Sequence, residues 1–514
     1  MIRQEIKNSV QKAVKNLYGK EIPAIIERSA EPSFGDYTTN AAMVLKKNPG
    51  EIAAEIKSIL EKSKMIKEME VKNGFINFFL SEEYLQKQIE EILKQKEKFG
   101  SSAVGQGKKV NIEFISANPT GPLTLGNGRG GFCGDVLANL LVKAGCKTKR
   151  EYYVNDVGEQ VKKLGHSVIG DKEAVYRGAY VEELRKRLKG DDPEKIGRQA
   201  VKIILKEMIK PSVKRMGIKF DNWFCESALY EKKEVAEILK ELKKNNLAYE
   251  KEGALWFKST DFGDDKDRVL IKADGQTTYL ASDAAYLKNK FKRGFEKLIF
   301  LWGADHHGYT GRIKAVAGAM SYKEKQVDII IMQLVRLFEG GKEVRMSKRT
   351  GLYITVDELI NEVGLAAARF FFLTKSPGSH LNFDLDLAKK QSEKNPVYYV
   401  QYAHARICSL LKKAGRRKPV GKRELLKHPS ELNLIKQLIR LPEIIEDTAE
   451  DYQVQRLPQY AVDLAVSFHR FYQDCRIISE DKDLTEARLS LALASRIVLK
   501  NTFDLMGIAA PERM

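Results

Sequence analysis

Gly121-Pro122-Leu123-Thr124-Leu125-Gly126-Asn127-Gly128-Arg129-Gly130-Gly131 is the stretch on which the fold turns. Just upstream, Lys109 to Ile115 alternates apolar and polar residues as a half-buried strand does, and Asn118-Pro119-Thr120-Gly121-Pro122 is a turn cluster. Just downstream, Phe132, Val136, Leu137 and Leu140 share one face of a helix that Gly145 ends. Cys146 to Val154 then reads as a second strand. A strand, helix, strand unit needs a crossover connection, and hence a parallel sheet. Where the strand hands over to the helix, small residues let backbone amides and the positive helix end approach a phosphate.

The sheet extends further along the chain. Leu298 to Trp302 and Val327 to Leu334 are short apolar runs of the kind that form buried strands. Arg268 to Ala273 and Gln276 to Leu280 flank Asp274-Gly275 as the arms of a hairpin would. Between them and the first unit, from about Lys162 to Lys251, the pattern is charged and helical, which reads as an insertion into the sheet domain. Glu339-Gly340-Gly341-Lys342 marks a turn, and Thr355 with Glu358 has capping-box spacing. From about Asp386 the pattern is almost wholly helical, and its last helix starts near Asp483 and stops at Gly507. The first 100 residues mix helical patterns with one compact strand signal, Gly74 to Leu80. The expected organisation is an α+β domain over 1–100, an α/β sheet domain over 101–385 and an all-α domain over 386–514.

A length of 514 residues agrees with three domains, and 43% hydrophobic with 31% charged residues is a globular composition. Lys plus Arg is 88 against 69 Asp plus Glu, a net charge of +19 that suits a polyanion such as nucleic acid, although a lysine-rich solvated surface has the same composition. Nine basic residues face one acid, Glu424, between Arg406 and Lys427. The five cysteines are far apart with no Cys-x-x-Cys pair, so no disulfide framework or structural zinc site is indicated and a reducing, cytoplasmic setting is expected. No run of about 18 apolar residues occurs, so no membrane partner is expected. Met1 to Gly19 reads as the first helix of the fold, though its basic bias is also that of an organelle transit peptide.

Gly126, Gly128 and Gly131 satisfy the Gly-x-Gly-x-x-Gly dinucleotide fingerprint, with Glu151 placed where a ribose-binding acid belongs. That alternative, a nicotinamide oxidoreductase, wants the strand to run straight into the first glycine, whereas here a proline-bearing turn intervenes. A second cluster, Arg345-Met346-Ser347-Lys348-Arg349-Thr350-Gly351, follows a strand and a glycine turn. Read plainly it is a basic solvated loop; read functionally, Lys348 closes over the β and γ phosphates of ATP and stabilises charge as pyrophosphate leaves. Together, in this order and on a parallel sheet, the two clusters resemble the signature motifs of class I aminoacyl-tRNA synthetases. Glu113 to Pro122, Tyr153 to Gln160, Trp302 to Tyr309, Asn395 to Arg406 and the closing Ala510 to Met514 narrow the resemblance to arginyl-tRNA synthetases. Phe34-Gly35-Asp36-Tyr37 is similar to that family's tRNA-contacting N-terminal domain, so the likeness spans the chain.

The resemblance implies a Rossmann-like catalytic domain and ATP-dependent attachment of L-arginine to tRNA(Arg) through an arginyl-adenylate. Mg²⁺ arrives with ATP, the helical domain reads the anticodon, tRNA binds before arginine is activated, and the protein is taken as a monomer. Thr124, Asn127 and Lys348 would be catalytic. Gly126, Gly128, Gly303, Asp305, His306, His307, Arg345, Met346, Ser347 and Lys348 would bind ATP. Glu113, Ser116 and Asn118 would hold the α-amino group of arginine, with Gln160 helping from the next strand. Glu226 and Asp283 would grip the guanidinium with Tyr279 packed beside it, because a planar cation paired with carboxylates gains both energy and geometry. Without the resemblance, Glu226 passes as a surface charge and Asp283 as an acid favouring a helix N-terminus. Adjacent side chains in Asp305-His306-His307 diverge and no third ligand presents itself, so no metal is assigned there.

Two departures stand out. Thr124 and Asn127 occupy the positions of two family histidines, and Arg345 that of a lysine. Thr and Asn still donate hydrogen bonds and Arg keeps the charge. The missing histidines motivate one alternative, a catalytically impaired paralogue that binds tRNA.

Overall fold

The computed structural model describes residues 2–29, 31–45, 48–60, 63–344, 354–415 and 421–514. Its central sheet has five parallel strands: β1 (Lys109–Glu113), β2 (Lys147–Val154), β3 (Asn222–Cys225), β4 (Lys297–Gly303) and β5 (Val327–Met332). Their spatial order is β5-β4-β1-β2-β3. The chain moves outward from β1 to β3 and then returns to β1's other side, so the crevice beyond the carboxyl ends of β1 and β4 is the switch point where α/β sheets bind ligands.

Helix α1 (Leu125–Lys143) makes the first crossover, from β1 to β2. Its glycines divide by function. A Cβ on Gly131 would lie 2.6 Å from Met216, and one on Gly134 would lie 2.3 Å from Phe114, so these two let the helix settle closely on the sheet. Arg129 is fully buried and fastens α1 to the far side of the sheet, donating to the carbonyls of Gln333 and Ser376 at 2.8 Å each.

The interval 162–251 does not stand wholly outside the sheet, because it supplies β3 as the edge strand. Four half-buried residues carry no long apolar run, so the sequence pattern is silent there. The tight turn expected at Asp274-Gly275 is present, with Ile271 and Thr277 in an antiparallel bridge and the Lys272 N–H donating to the Gln276 carbonyl at 2.9 Å, but its arms differ from those expected. Arg268–Ile271 belongs to a separate antiparallel sheet with Ala254–Phe257 and Ala248–Lys251, while Gln276 to Leu280 is not a strand. Tyr279 instead opens helix α2 (Tyr279–Lys292), whose buried Leu280, Ala281, Ala284, Ala285 and Leu287 recur at helical spacing.

The N-terminal domain packs helix Ile2–Tyr18 near a four-stranded antiparallel sheet, in the order Ile26–Arg28, Tyr37–Thr39, Phe75–Leu80, Ile66–Lys72. It is tied to the C-terminal helices: Tyr37 donates to Glu443 at 2.6 Å, Arg28 to Glu443 at 3.0 Å, and Lys436 meets Asp36 at 2.7 Å. The last helix, Lys482–Met506, begins at an Asp481 cap and ends at left-handed Gly507. Among the described residues no helix is long and apolar enough to cross a membrane.

Candidate active site

At the carboxyl end of the sheet, Thr124 caps α1. Its N–H and its hydroxyl both donate to Asn127 Oδ1, at 3.0 and 2.9 Å, so the two residues replacing the family histidines are bonded to each other. Gly126 is exposed beside them, while Gly128 is buried, with Val356 Cγ2 2.8 Å from where its Cβ would be. Val356 opens helix α3 (Val356–Val363), capped by Thr355, which exchanges hydrogen bonds with Glu358 at 2.7 and 3.1 Å. Thr355 also bridges Thr124 in antiparallel fashion, and Val356 N–H donates to the Leu123 carbonyl at 3.0 Å. Arg345, Met346, Ser347 and Lys348 lie outside the described residues, but the chain that follows them is anchored directly on the glycine motif.

The tip of β1 is strained. Ile115 and Ser116 have φ of +66° and +36°, a region that a β-branched residue adopts rarely, and such strain collects at functional sites. Ser116 Oγ donates to Glu113 at 3.2 Å and accepts from the Tyr153 N–H at 3.0 Å, locking β1 to β2. Glu113 is buried and also takes hydrogen bonds from Tyr286 at 2.8 Å and Lys290 at 2.6 Å. Asn118 is exposed on the following turn. Gln160, expected on a strand, is in the first turn of helix Glu159–Ile169, because Gly158 at φ +83° ends the extended run; its side chain accepts from Tyr176.

Glu226 follows β3 directly and is only 4% exposed, so it is no surface charge. Its N–H is bonded to the Val154 carbonyl at 2.9 Å, and Asp156 braces the next residue through the Ser227 N–H at 2.9 Å and hydroxyl at 2.7 Å. With its amide turned to donate, Asn155 reaches Glu226 Oε2 at 2.8 Å. Asp283 sits in the second turn of α2 and accepts from Tyr309 at 2.6 Å. Burial pushes the Glu226 carboxyl up to about 7, with the nearby Asp283 charge adding to it. Burial likewise pushes Asp283 up to about 7, against the hydrogen bond from Tyr309 and with help from the Glu113 charge. Among the described residues neither acid has a basic partner. A buried Glu226 and a half-buried Asp283 that lack a cation make a receptor for one. Tyr279, 52% exposed, stands at the mouth of this pocket. Tyr153, Ser282, Asn155 and Tyr309 complete its wall; all lay in stretches of interest in the sequence, but only the fold turns them toward the acids.

Gly303 ends β4, and Asp305, His306 and His307 follow on one exposed turn, Ala304–Tyr309, beside the crevice. Asp305 Oδ1 lies 2.5 Å from where a Gly303 Cβ would be. Among the described residues no group of three or more His, Cys, Asp or Glu side chains could hold a metal ion. A cavity of about 790 Å³ opens elsewhere, between the N-terminal and helical domains, but the charged groups that line it largely pair with one another, as in Arg3–Asp447 and Arg456–Asp451.

Residues 2–80 match the arginyl tRNA synthetase N-terminal domain, 169–375 the class I (R) tRNA synthetase catalytic domain, and 400–514 the DALR anticodon binding domain. The chain is 42% identical to the arginine–tRNA ligase of Heliobacterium modesticaldum across 100% of this chain and 99% of that one. It belongs to the arginyl-tRNA synthetase family. Another such relative, from Carboxydothermus hydrogenoformans, is 44% identical over 96% of this chain and 95% of its own. The Thermus thermophilus arginyl-tRNA synthetase structure superposes with a TM-score of 0.84 at 22% identity, covering 100% of both chains, and so shares the fold. For an arginyl-tRNA synthetase the dinucleotide reading of the glycines falls away. Glu151 is 1% exposed and bonded to Tyr286, Arg293 and Asn222, which leaves it no access to a ribose.

Proposed function

We propose that the chain carries out its family's reaction, ATP-dependent attachment of L-arginine to tRNA, with the labour divided as follows. Glu226 and Asp283 receive the guanidinium, and Tyr279 covers it. Glu113, Ser116 and Asn118 hold the α-amino group, with Gln160 reaching in from the start of its helix. Gly126 and the open first turn of α1 face the phosphates, and Asn127, whose Oδ1 is committed to Thr124, keeps its amide N–H groups for donation. Gly303, Asp305, His306 and His307 border the adenosine. Lys348, with Arg345, Met346 and Ser347, closes over the triphosphate from the loop anchored at Thr355.

An arginine carboxylate oxygen then attacks the α phosphorus, the bond to pyrophosphate breaks, and the terminal ribose hydroxyl of tRNA later displaces AMP from the acyl carbon. The protein's contribution is position and charge. Mg²⁺ is held chiefly by the phosphates of ATP, as suits an ion bound through few protein carboxylates. The helical domain reads the anticodon, and the protein works as a cytoplasmic monomer.

The observation that carries this reading is the carboxylate pair Glu226 and Asp283, which has no cation among the described residues. Its test is exchange of labelled pyrophosphate into ATP, with and without arginine and tRNA. Exchange that needs both supports the ligase; tight tRNA binding with no exchange supports the impaired paralogue. Lys348→Ala should slow adenylate formation far more than it weakens arginine binding, and equal losses would remove its assigned role.

A further inference from the structure

Pro193 to Arg215 is one helical rod: α-helix over Pro193–Ile204, a π turn over Leu205–Ile209 and α-helix again over Lys210–Arg215. Its inner face, with Ile196, Ala200, Val201, Ile204, Ile209 and Val213, is buried. Its exposed positions carry seven basic residues and two acids, Glu194 and Glu207, which Arg198 and Arg187 hold at 2.6 and 2.7 Å. A lysine-rich chain does not explain that bias, since the whole sequence has 88 basic to 69 acidic residues. Helix Glu234–Lys244, nearby in sequence, carries three of each, and its Lys243 is paired with Glu250.

Lys202, Lys206, Lys210 and Lys214 recur at every fourth residue, are exposed, and have no carboxylate within ion-pair distance among the described residues. In an unbroken α-helix this row would wind around the rod, because a four-residue step overshoots a 3.6-residue turn by about 40°. The π turn is wider, closing from i to i+5, so the step across it undershoots and takes back part of the drift. Pro211 explains why the wide turn falls there: it brings no N–H to the ladder, and its ring crowds the carbonyl of Glu207. The result is a straightened row of ammonium groups, with about 6 Å of helix rise between neighbours.

The row borders the site. Lys210 Nζ lies 5.1 Å from the centre of the Trp223 ring on β3, the strand that ends one residue before Glu226. Ser212 and Arg215 bond to Asp357 and Asn361 of α3, the helix that Thr355 joins to the glycine motif.

We propose that the ridge Lys202–Lys206–Lys210–Lys214 binds the phosphate backbone of the tRNA substrate, along the segment that leads to its charged end. A row of unpaired ammonium groups beside a site that must receive the tRNA terminus displaces counterions from that backbone and guides it in. The proposal rests on the tRNA-charging reading above.

The test replaces all four lysines by glutamine and compares the protein with a control carrying Lys232→Gln, Lys240→Gln, Lys243→Gln and Lys244→Gln, which lowers the net charge equally. Binding of a full-length tRNA(Arg) transcript is followed from 50 to 200 mM salt, alongside aminoacylation kinetics and thermal melting. The ridge variant should melt like wild type, bind tRNA at least tenfold more weakly at 0.1 M salt, and lose about 3 from the slope of log K against log salt. Its KM for tRNA should rise with kcat nearly unchanged, and the control should keep the wild-type slope. If ridge and control variants bind alike, the proposal is overturned. If wild type itself charges no tRNA, the failure belongs to the underlying reading, and the ridge still stands or falls on the binding slope.

Discussion

Two acidic clusters share one sheet edge and are treated in opposite ways. Glu113 and Glu151, on β1 and β2, are buried but fully partnered. Lys290, 0% exposed, bonds Glu113 at 2.6 Å and lies 3.3 Å from Glu151; Arg293 holds Glu151, and the Tyr286 hydroxyl touches both acids. Burial works against the Glu151 charge, but Arg293 and Lys290 outweigh it and hold its carboxyl far below the usual range. Glu226, just after β3, is as buried as Glu113, Asp283 on α2 is half-buried, and among the described residues neither has a cation. Both rise to about 7. The fold itself neutralises the first cluster, leaving Glu113 Oε1 beside Ser116 at its outer end, whereas the second is left without the charge that the proposed ligand would bring.

Removing the charge should therefore have opposite consequences in the two places. Glu226→Gln or Asp283→Asn should cut kcat/KM for arginine by about a thousandfold, on the order of 4 kcal/mol, because the guanidinium loses a charged bidentate partner in a buried site. The same Glu226→Gln protein, without arginine, should melt higher than wild type above pH 7. The sign follows from linkage. A carboxyl whose folded pKa of about 7 exceeds its unfolded value of 4.5 keeps its proton in the folded state, so stability is fully present below the unfolded value and is lost as pH rises to the folded one. That loss is on the order of 3 kcal/mol for Glu226 at pH 8, and the amide escapes it. Scanning calorimetry at pH 5 and pH 8 checks this; a lower melting temperature at both would mean that Glu226 has a cationic partner after all.

Lys290→Met should do the reverse. It leaves two buried carboxylates short of a cation, and breaking a buried pair from one side costs about 3–5 kcal/mol. Urea unfolding at pH 8 should show that loss, with less of it at pH 4, where the acids can take up protons. A loss under 1 kcal/mol would show that Arg293 and Tyr286 suffice and would erase the contrast between the clusters.

How much of this could be read from the residues alone divides along the same line. The β1–α1–β2 unit, the Thr355–Glu358 box and the final helix were legible, since each rests on local periodicity or capping chemistry. Strand β3 and the N-terminal strands Ile26–Arg28, Tyr37–Thr39 and Ile66–Lys72 were not, because they are short or half-exposed. At the site, Glu226 passes as a surface charge without the family resemblance, and its burial arises where the end of β3 meets α2. Lys290 drew no attention, because a lysine seven residues beyond Asp283 on a helix reads as solvated until β1 and β2 are placed against it. Gln160 reads as part of a strand because the turn that Gly158 makes does not show in the pattern of apolar residues.

The pH response of arginine binding sharpens the comparison with a smaller effect. Both pocket acids must be ionised to hold a guanidinium, so the KM for arginine should fall as pH rises through about 7, by up to tenfold per pH unit for each carboxylate, and level off by pH 8 to 9. Initial rates between pH 5.5 and 9 give the profile. Asp283→Asn should halve the steepness of its acid limb, whereas Glu151, already ionised across this range, contributes nothing to it. A flat profile in wild type would mean that the pocket acids are ionised before arginine arrives.

The smallest effect is the most discriminating, because it turns on one oxygen atom in each cluster. Tyr286 and Tyr153 have rings 4.5 Å apart, and both hydroxyls are buried, but Tyr286 donates toward two carboxylates while the Tyr153 hydroxyl satisfies no hydrogen-bond geometry. Tyr286→Phe deprives buried, charged acceptors and should cost about 1–2 kcal/mol of stability. Tyr153→Phe removes an oxygen with no partner and should leave stability within about 0.5 kcal/mol of wild type. It should still be felt in binding. The Tyr153 phenol lies near enough to Glu226 to favour its charged form, so without it the carboxyl rises further and the acid limb of the arginine profile should move up by a few tenths of a pH unit. Equal stability losses in the two variants would mean that Tyr153 is bonded as Tyr286 is, and that the pocket acids are already partnered in the free protein.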